Sequence, residues 1–143
     1  MANAADSLIL YPAFAMFALV LIVFGMMARA RFGAVGRGEM NPGFYKTYRG
    51  DEEPEHMRVI TRNFINLFEV PVLFYVVVLM TYVTHQTNGW MIALAWAYVA
   101  ARYAHSYVHL TSNDVLTRFR IYAASGVILL LLWASLLLKL LAS

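Results

Sequence analysis

The stretch RNFINLFEVPVLFYVVVLM, residues 62–80, is apolar over a membrane-spanning length yet carries Arg62, Asn66 and Glu69 near its start. Spaced i, i+4 and i+7, these three side chains share one face of a helix. A charge near the bilayer centre costs about 2.5–3.5 kcal/mol on insertion scales, so such residues face other helices or a wet cavity and mark a site by default. Farther along, Arg102, His105 and His109 fall at i, i+3 and i+7 of another apolar segment. Arg118, Tyr122 and Ser125 repeat the theme at i, i+4 and i+7 of a third.

The rest of the chain fits a membrane domain. Of 143 residues, 62% are hydrophobic and 13% charged, where a soluble domain carries about 25% charged residues. Four segments, about 8–30, 56–84, 89–110 and 113–141, each reach the ~20 residues needed to cross the hydrocarbon. Lipid leaves the backbone no water to bond, so all four are expected to be helices. Short second and third loops make neighbours antiparallel. The expected architecture is therefore all-α: one domain over 1–143, an up-down-up-down four-helix bundle in a membrane.

The first segment has no basic residue before it and is too long for a signal-peptide core, so it is read as an uncleaved anchor. A net charge of +3, dispersed along the chain, argues against nucleic acid as a partner. With no cysteine, disulfides, thiolate metal sites and a cysteine nucleophile are excluded.

Arg29, Arg31, Arg37, Lys46, Arg49 and Arg58 cluster at the first loop, and Arg118 and Arg120 flank the third. The positive-inside rule then puts loops one and three in the cytosol and both termini outside. Acidic residues Asp51, Glu52, Glu53 and Glu55 lead into segment two, where they complement the helix dipole. Pro54 suits the first helical turn, Asn113 or Asp114 suits the N-cap of segment four, and Pro71 should kink segment two. Gly33 and Gly36 are expected to lie in the first loop. Pairing the antiparallel stripes by depth sets His109 near Arg62 and Arg102 near Glu69, where an ion pair would let both charges survive.

Arg62, Arg102 and Arg118 with one carboxylate describe a cationic pocket at the cytosolic boundary. Arginine captures carboxylates in a bidentate fork, so a small anion carrying an ammonium group for Glu69 would match. A second reading keeps these charges as a buried structural network, with Arg58, Arg118 and Arg120 anchoring helix ends by snorkelling. A third gives His105 and His109 to a metal or haem, against interhelical hydrogen bonds for each. Tyr75, Tyr82, Tyr98, Tyr103 and Tyr107 are packing or interfacial residues, and Trp90 is an interface anchor.

The run Arg62 to Pro71, with Arg, Asn four residues on, Glu three further and a nearby Pro, resembles the second-helix signature of the MAPEG family (membrane-associated proteins in eicosanoid and glutathione metabolism). Arg102, His105, Arg118 and Tyr122 fall at the spacing of helices three and four in its prostaglandin E synthase branch. The stretches NLFEVPVLFY and HSYVHLTSN are more similar to a bacterial subgroup. The resemblance spans nearly the whole chain.

It implies a homotrimer with glutathione, as cosubstrate, between adjacent subunits near the cytosolic side. Arg62, Asn66 and Glu69 would frame the peptide, Arg102 and His105 would support it, and Arg118 and Tyr122 would approach the cysteinyl end. Arg118 would be the catalytic residue, lowering the thiol pKa. No metal is implied. The expected activity is transfer of glutathione to, or peroxide reduction on, a hydrophobic small molecule in the lipid, at a bacterial inner membrane. The alternative is a non-catalytic lipid-binding or scaffolding protein of the same fold. Three positions depart from the pattern: His109 stands where mammalian members have Tyr, Phe119 where the prostaglandin branch has Ser, and Asn63 where that branch has, in part, a different set of polar partners.

Overall fold

The computed structural model describes residues 6–48 and 53–142, and every regular element among them is helical. Arg49, Asp51 and Glu52, assigned above to the basic cluster and the acidic lead, lie outside the described residues. A 3-10 turn, Asp6–Leu10, leads into α1, Tyr11–Gly36. A one-turn helix α2, Phe44–Thr47, follows, then α3 (Glu55–Asn66), α4 (Pro71–Val83), α5 (Gly89–Leu110) and α6 (Val115–Ala142). Among the described residues, three rods are long and apolar enough to cross a membrane: Asp6–Gly36, Glu55–Val83 and Val115–Ala142. The 22 residues of α5 reach about 33 Å, with Arg102, His105 and His109 diluting its apolar character. The protein is an integral membrane helical domain.

Several boundaries differ from the sequence expectation. α1 runs through Gly33 to Gly36 rather than stopping at Ala30. Its extra turns bury Ala34 against Met40 and Met57 in a small apolar cluster, which holds the helix past the glycines. The reversal comes at Gly38, whose φ of 72° needs a residue without a Cβ. Pro54 stands just ahead of the first turn, as N-cap of α3 with extended backbone. Of the two candidate caps for α6, Asp114 accepts from Thr117 N at 2.8 Å. That bond and the Thr117 hydroxyl hold the Asp114 carboxyl below its usual range.

Segment two is interrupted just before Pro71, where the sequence places a kink, and still forms one membrane-length span. Pro71 has no N–H to offer the carbonyl four residues back, and its ring crowds that turn. The chain passes from α3 to α4 through i+3 bonds, Phe68 N to Ile65 O at 2.9 Å and Leu73 N to Val70 O at 3.0 Å. This interruption leaves the Asn66 carbonyl open to a side chain from α5.

The core joins Met16, Leu19 and Val23 of α1 to Phe74 and Val77 of α4, Met91 and Tyr98 of α5, and Leu132 and Leu136 of α6. Phe74 and Tyr98 stack at 4.5 Å between centroids. Large apolar side chains such as Phe14, Phe17, Leu130 and Leu138 point outward, as lipid contact requires. α5 starts at Asn88, whose side chain accepts from Met91 N at 2.9 Å. Asn88→Ala is expected to cost about 1 kcal/mol, read as a lower melting temperature in detergent. An unchanged melting temperature would show that the core alone sets this helix start.

Candidate functional site

One groove of about 340 Å³ gathers Arg62 and Asn66 of α3, His105 and His109 of α5, and Val115, Arg118, Phe119 and Tyr122 of α6. Three helices thus contribute, because α5 packs against both α3 and α6. Two arginines and no carboxylate line it, so its field favours an anion. An adjoining groove, which shares Arg62, His109, Val115 and Arg118 with it, continues past Glu55, Arg58 and Asn113.

Arg102 forms the buried floor, with 0% exposure. It does not pair with Glu69, contrary to the sequence expectation. Its Nη2 donates to Asn66 Oδ1 at 2.6 Å and to the Asn66 carbonyl at 3.3 Å. Asn66 Nδ2 in turn donates to Glu69 Oε2 at 3.2 Å. Asn66 ends α3 at the break, so its carbonyl is free of the helix ladder and its amide can relay between cation and carboxylate. The Arg102 guanidinium also lies 5.6 Å from the Tyr122 ring centroid, a cation–π distance. Its Nε and Nη1 are buried without a hydrogen-bond partner.

His105 is buried, and its Nδ1 sits 3.2 Å from the Arg118 carbonyl. A carbonyl only accepts, so Nδ1 carries the proton and Nε2 presents a lone pair to the interior. This bond fixes the first turn of α6 against α5. Arg118 is held by Asn113, whose Oδ1 accepts from its Nη1. Asn113 reaches back from a left-handed conformation, φ 49°, which Asn tolerates. The Tyr122 ring lies 5.8 Å from His105. The His105 and His109 rings meet edge-on at 5.7 Å, and among the described residues no third His, Asp or Glu joins them as a metal-binding group.

Of the residues picked from sequence, the groove brings together Arg62, Asn66, His105, Arg118 and Tyr122, with Arg102 beneath. His109 lies in the same groove as Arg62, as depth pairing expected. Glu69 does not line the groove: it is exposed on the flank of the single chain, linked in only through Asn66. Arg62 is exposed as well, so of these two arginines only Arg102 is buried.

Two features escaped the sequence reading. Ser106 donates to Asn63 Oδ1 at 3.2 Å between α3 and α5, both fully enclosed. The Arg118 backbone, rather than its side chain, anchors His105. Adjacency of polar residues, Asn63 beside Arg62 and Ser106 beside His105, was the available signal for the first. Nothing in a sequence marks a backbone carbonyl as an acceptor.

No curated protein and no solved structure matches this chain significantly. The MAPEG family model matches residues 9–138. That span takes in every residue that lines the groove, and the chain belongs to the MAPEG family.

Proposed function

We propose that this protein is a membrane-bound glutathione-dependent transferase or peroxidase acting on a lipophilic electrophile. The observation that carries the reading is the acid-free groove in which Arg118 and Tyr122 meet Arg62, Asn66 and His105. Glutathione, when bound, supplies the thiol that a chain without cysteine lacks. Arg62 and Asn66 suit the peptide's carboxylate and amide groups, and Arg102 braces Asn66 from below with two donors still unused. Arg118 stabilises negative charge beside it and so raises the thiolate fraction of a thiol held there. Val115 and Phe119 give the same groove an apolar lip, suited to a reactant arriving from lipid.

The proposal includes a single four-helix domain over the whole chain, with α5 as the fourth span. Loops one and three face the cytosol and both termini lie outside, at a bacterial inner membrane. It also includes a homotrimer. Glu69 lies midway along the Glu55–Val83 rod, about 20 Å from either end, and its carboxylate is exposed on the isolated chain. Lipid is a costly neighbour for such a charge, and a second subunit covering it removes the cost. Glu69→Gln is expected to weaken the trimer in light scattering while leaving the monomer helical. A trimer of unchanged stability would remove Glu69 from the interface.

The second reading, a lipid-binding or scaffolding protein without catalysis, draws on the Asn63–Ser106 and Arg102–Asn66 bonds, which hold helices together with no ligand needed. Conjugation of glutathione to a generic lipophilic electrophile, or glutathione-dependent reduction of a lipid hydroperoxide, by the purified protein separates the two. A rate above the uncatalysed background supports the transferase or peroxidase; glutathione bound with no such rate supports the scaffold.

A further inference from the structure

A second groove, of about 420 Å³, lies between the last turns of α1 and the α2 region, and it shares no residue with the Arg118 groove. Phe24, Ala28, Arg31, Phe32, Tyr45 and Tyr48 form most of its wall. Phe24 sits seven residues before Arg31, about 10 Å deeper along the rod. The 31-residue rod Asp6–Gly36 is about 46 Å long and so outruns the ~30 Å hydrocarbon. The aromatic half of the groove therefore belongs to the acyl region, and the Arg31–Tyr45 half to the headgroup region.

The polar half carries donors that lack acceptors. Arg31 Nε and the Tyr45 hydroxyl are both shielded from solvent, and neither has a hydrogen-bond partner. The guanidinium lies 5.2 Å from the Tyr45 ring centroid, so the two groups are neighbours. Glu53 forms a long ion pair with Arg31, Oε1 3.9 Å from Nε, beyond hydrogen-bond distance, and accepts from Thr61 at 3.0 Å. Arg29 and Lys46 are exposed close by in sequence, whereas Arg37 is taken by Glu39 at 2.6 and 2.9 Å. An apolar trough ending in two unmet donors and surplus positive charge has the polarity of an anionic lipid.

We propose that this groove binds an anionic phospholipid. Its phosphodiester oxygens accept from Arg31 Nε and the Tyr45 hydroxyl, and one acyl chain lies along Phe24 and Ala28. The inference rests on α1 crossing the membrane and is independent of glutathione chemistry.

Native mass spectrometry of delipidated protein, titrated with phosphatidylglycerol or with a diacylglycerol that has the same acyl chains and no phosphodiester, tests it. Phosphatidylglycerol should bind about tenfold more tightly, the scale of one charge-assisted hydrogen bond. Arg31→Gln should remove that preference, and Tyr45→Phe should reduce it about threefold, the scale of one neutral hydrogen bond. Equal binding of the two lipids by the unmodified protein would overturn the proposal. So would a preference untouched in Tyr45→Phe, a variant that keeps the packing and decides the matter even if Arg31→Gln does not fold. Glycerol phosphate competing as well as the whole lipid would overturn the acyl half. Loss of oligomer in Arg31→Gln, with no lipid bound to either form, would assign the groove to a neighbouring subunit instead.

Discussion

Arg118→Ala should lower glutathione conjugation about fiftyfold near pH 6.5, where a free thiol of pKa ~8.5 is only about 1% thiolate. The arithmetic assumes that the cation lowers the thiol pKa by about two units, within the range of an adjacent opposite charge. The loss should shrink as pH rises and vanish near pH 9.5, where the thiol ionises unaided. Glutathione affinity should change less than the rate, since Arg62 and Asn66 remain. Folding should survive, because Asp114 still caps α6 through Thr117 and His105 bonds the residue's backbone rather than its side chain. Arg118→Lys keeps the charge and should recover most of the rate. A rate near pH 6.5 equal to that of the unmodified protein would strip Arg118 of this role.

Asn66→Leu should destabilise the protein by about 2–3 kcal/mol, because it leaves a fully buried guanidinium short of its best acceptor. Arg102 has only the Asn66 carbonyl at 3.3 Å in reserve. Adding Arg102→Met should recover much of the loss, since two apolar partners leave no unmet polar group in the interior. The double variant should nonetheless bind no glutathione, so stability and binding part company. Thermal unfolding in detergent of the two single variants and the double variant closes the cycle. Strictly additive losses would mean that Asn66 and Arg102 do not depend on each other.

The membrane helices were legible because hydrophobic length and helical spacing are properties of the chain itself. Gly89–Leu110 matched its expected span because Asn88 is a strong cap and Thr111 begins a turn. The end of α1 was not legible: Gly33 and Gly36 argue for a loop, and the Ala34–Met40–Met57 contact that overrides them joins distant residues. At the site, the groups that converge on the groove were found by face and depth. The partner of Arg102 was missed for a definite reason. Depth pairing finds the nearest opposite charge, and Glu69 was that charge. It could not anticipate that the break before Pro71 would free a carbonyl and bring Asn66 between them. Exposure of Arg62 and Glu69 on the single chain was equally hidden, since a polar stripe says which residues share a face but not which neighbour covers it.

The central claim is that the arginine-lined groove holds glutathione and ionises its thiol. Calorimetric titration of reduced glutathione into the detergent-solubilised protein, followed by ultraviolet absorbance of the bound thiolate, tests it most directly. The account predicts saturable binding, with the thiolate band appearing well below the pKa of the free thiol and disappearing in Arg118→Ala. Absence of binding at millimolar glutathione would contradict it, leaving the polar network as the bond between helices and the lipid-binding reading in the lead.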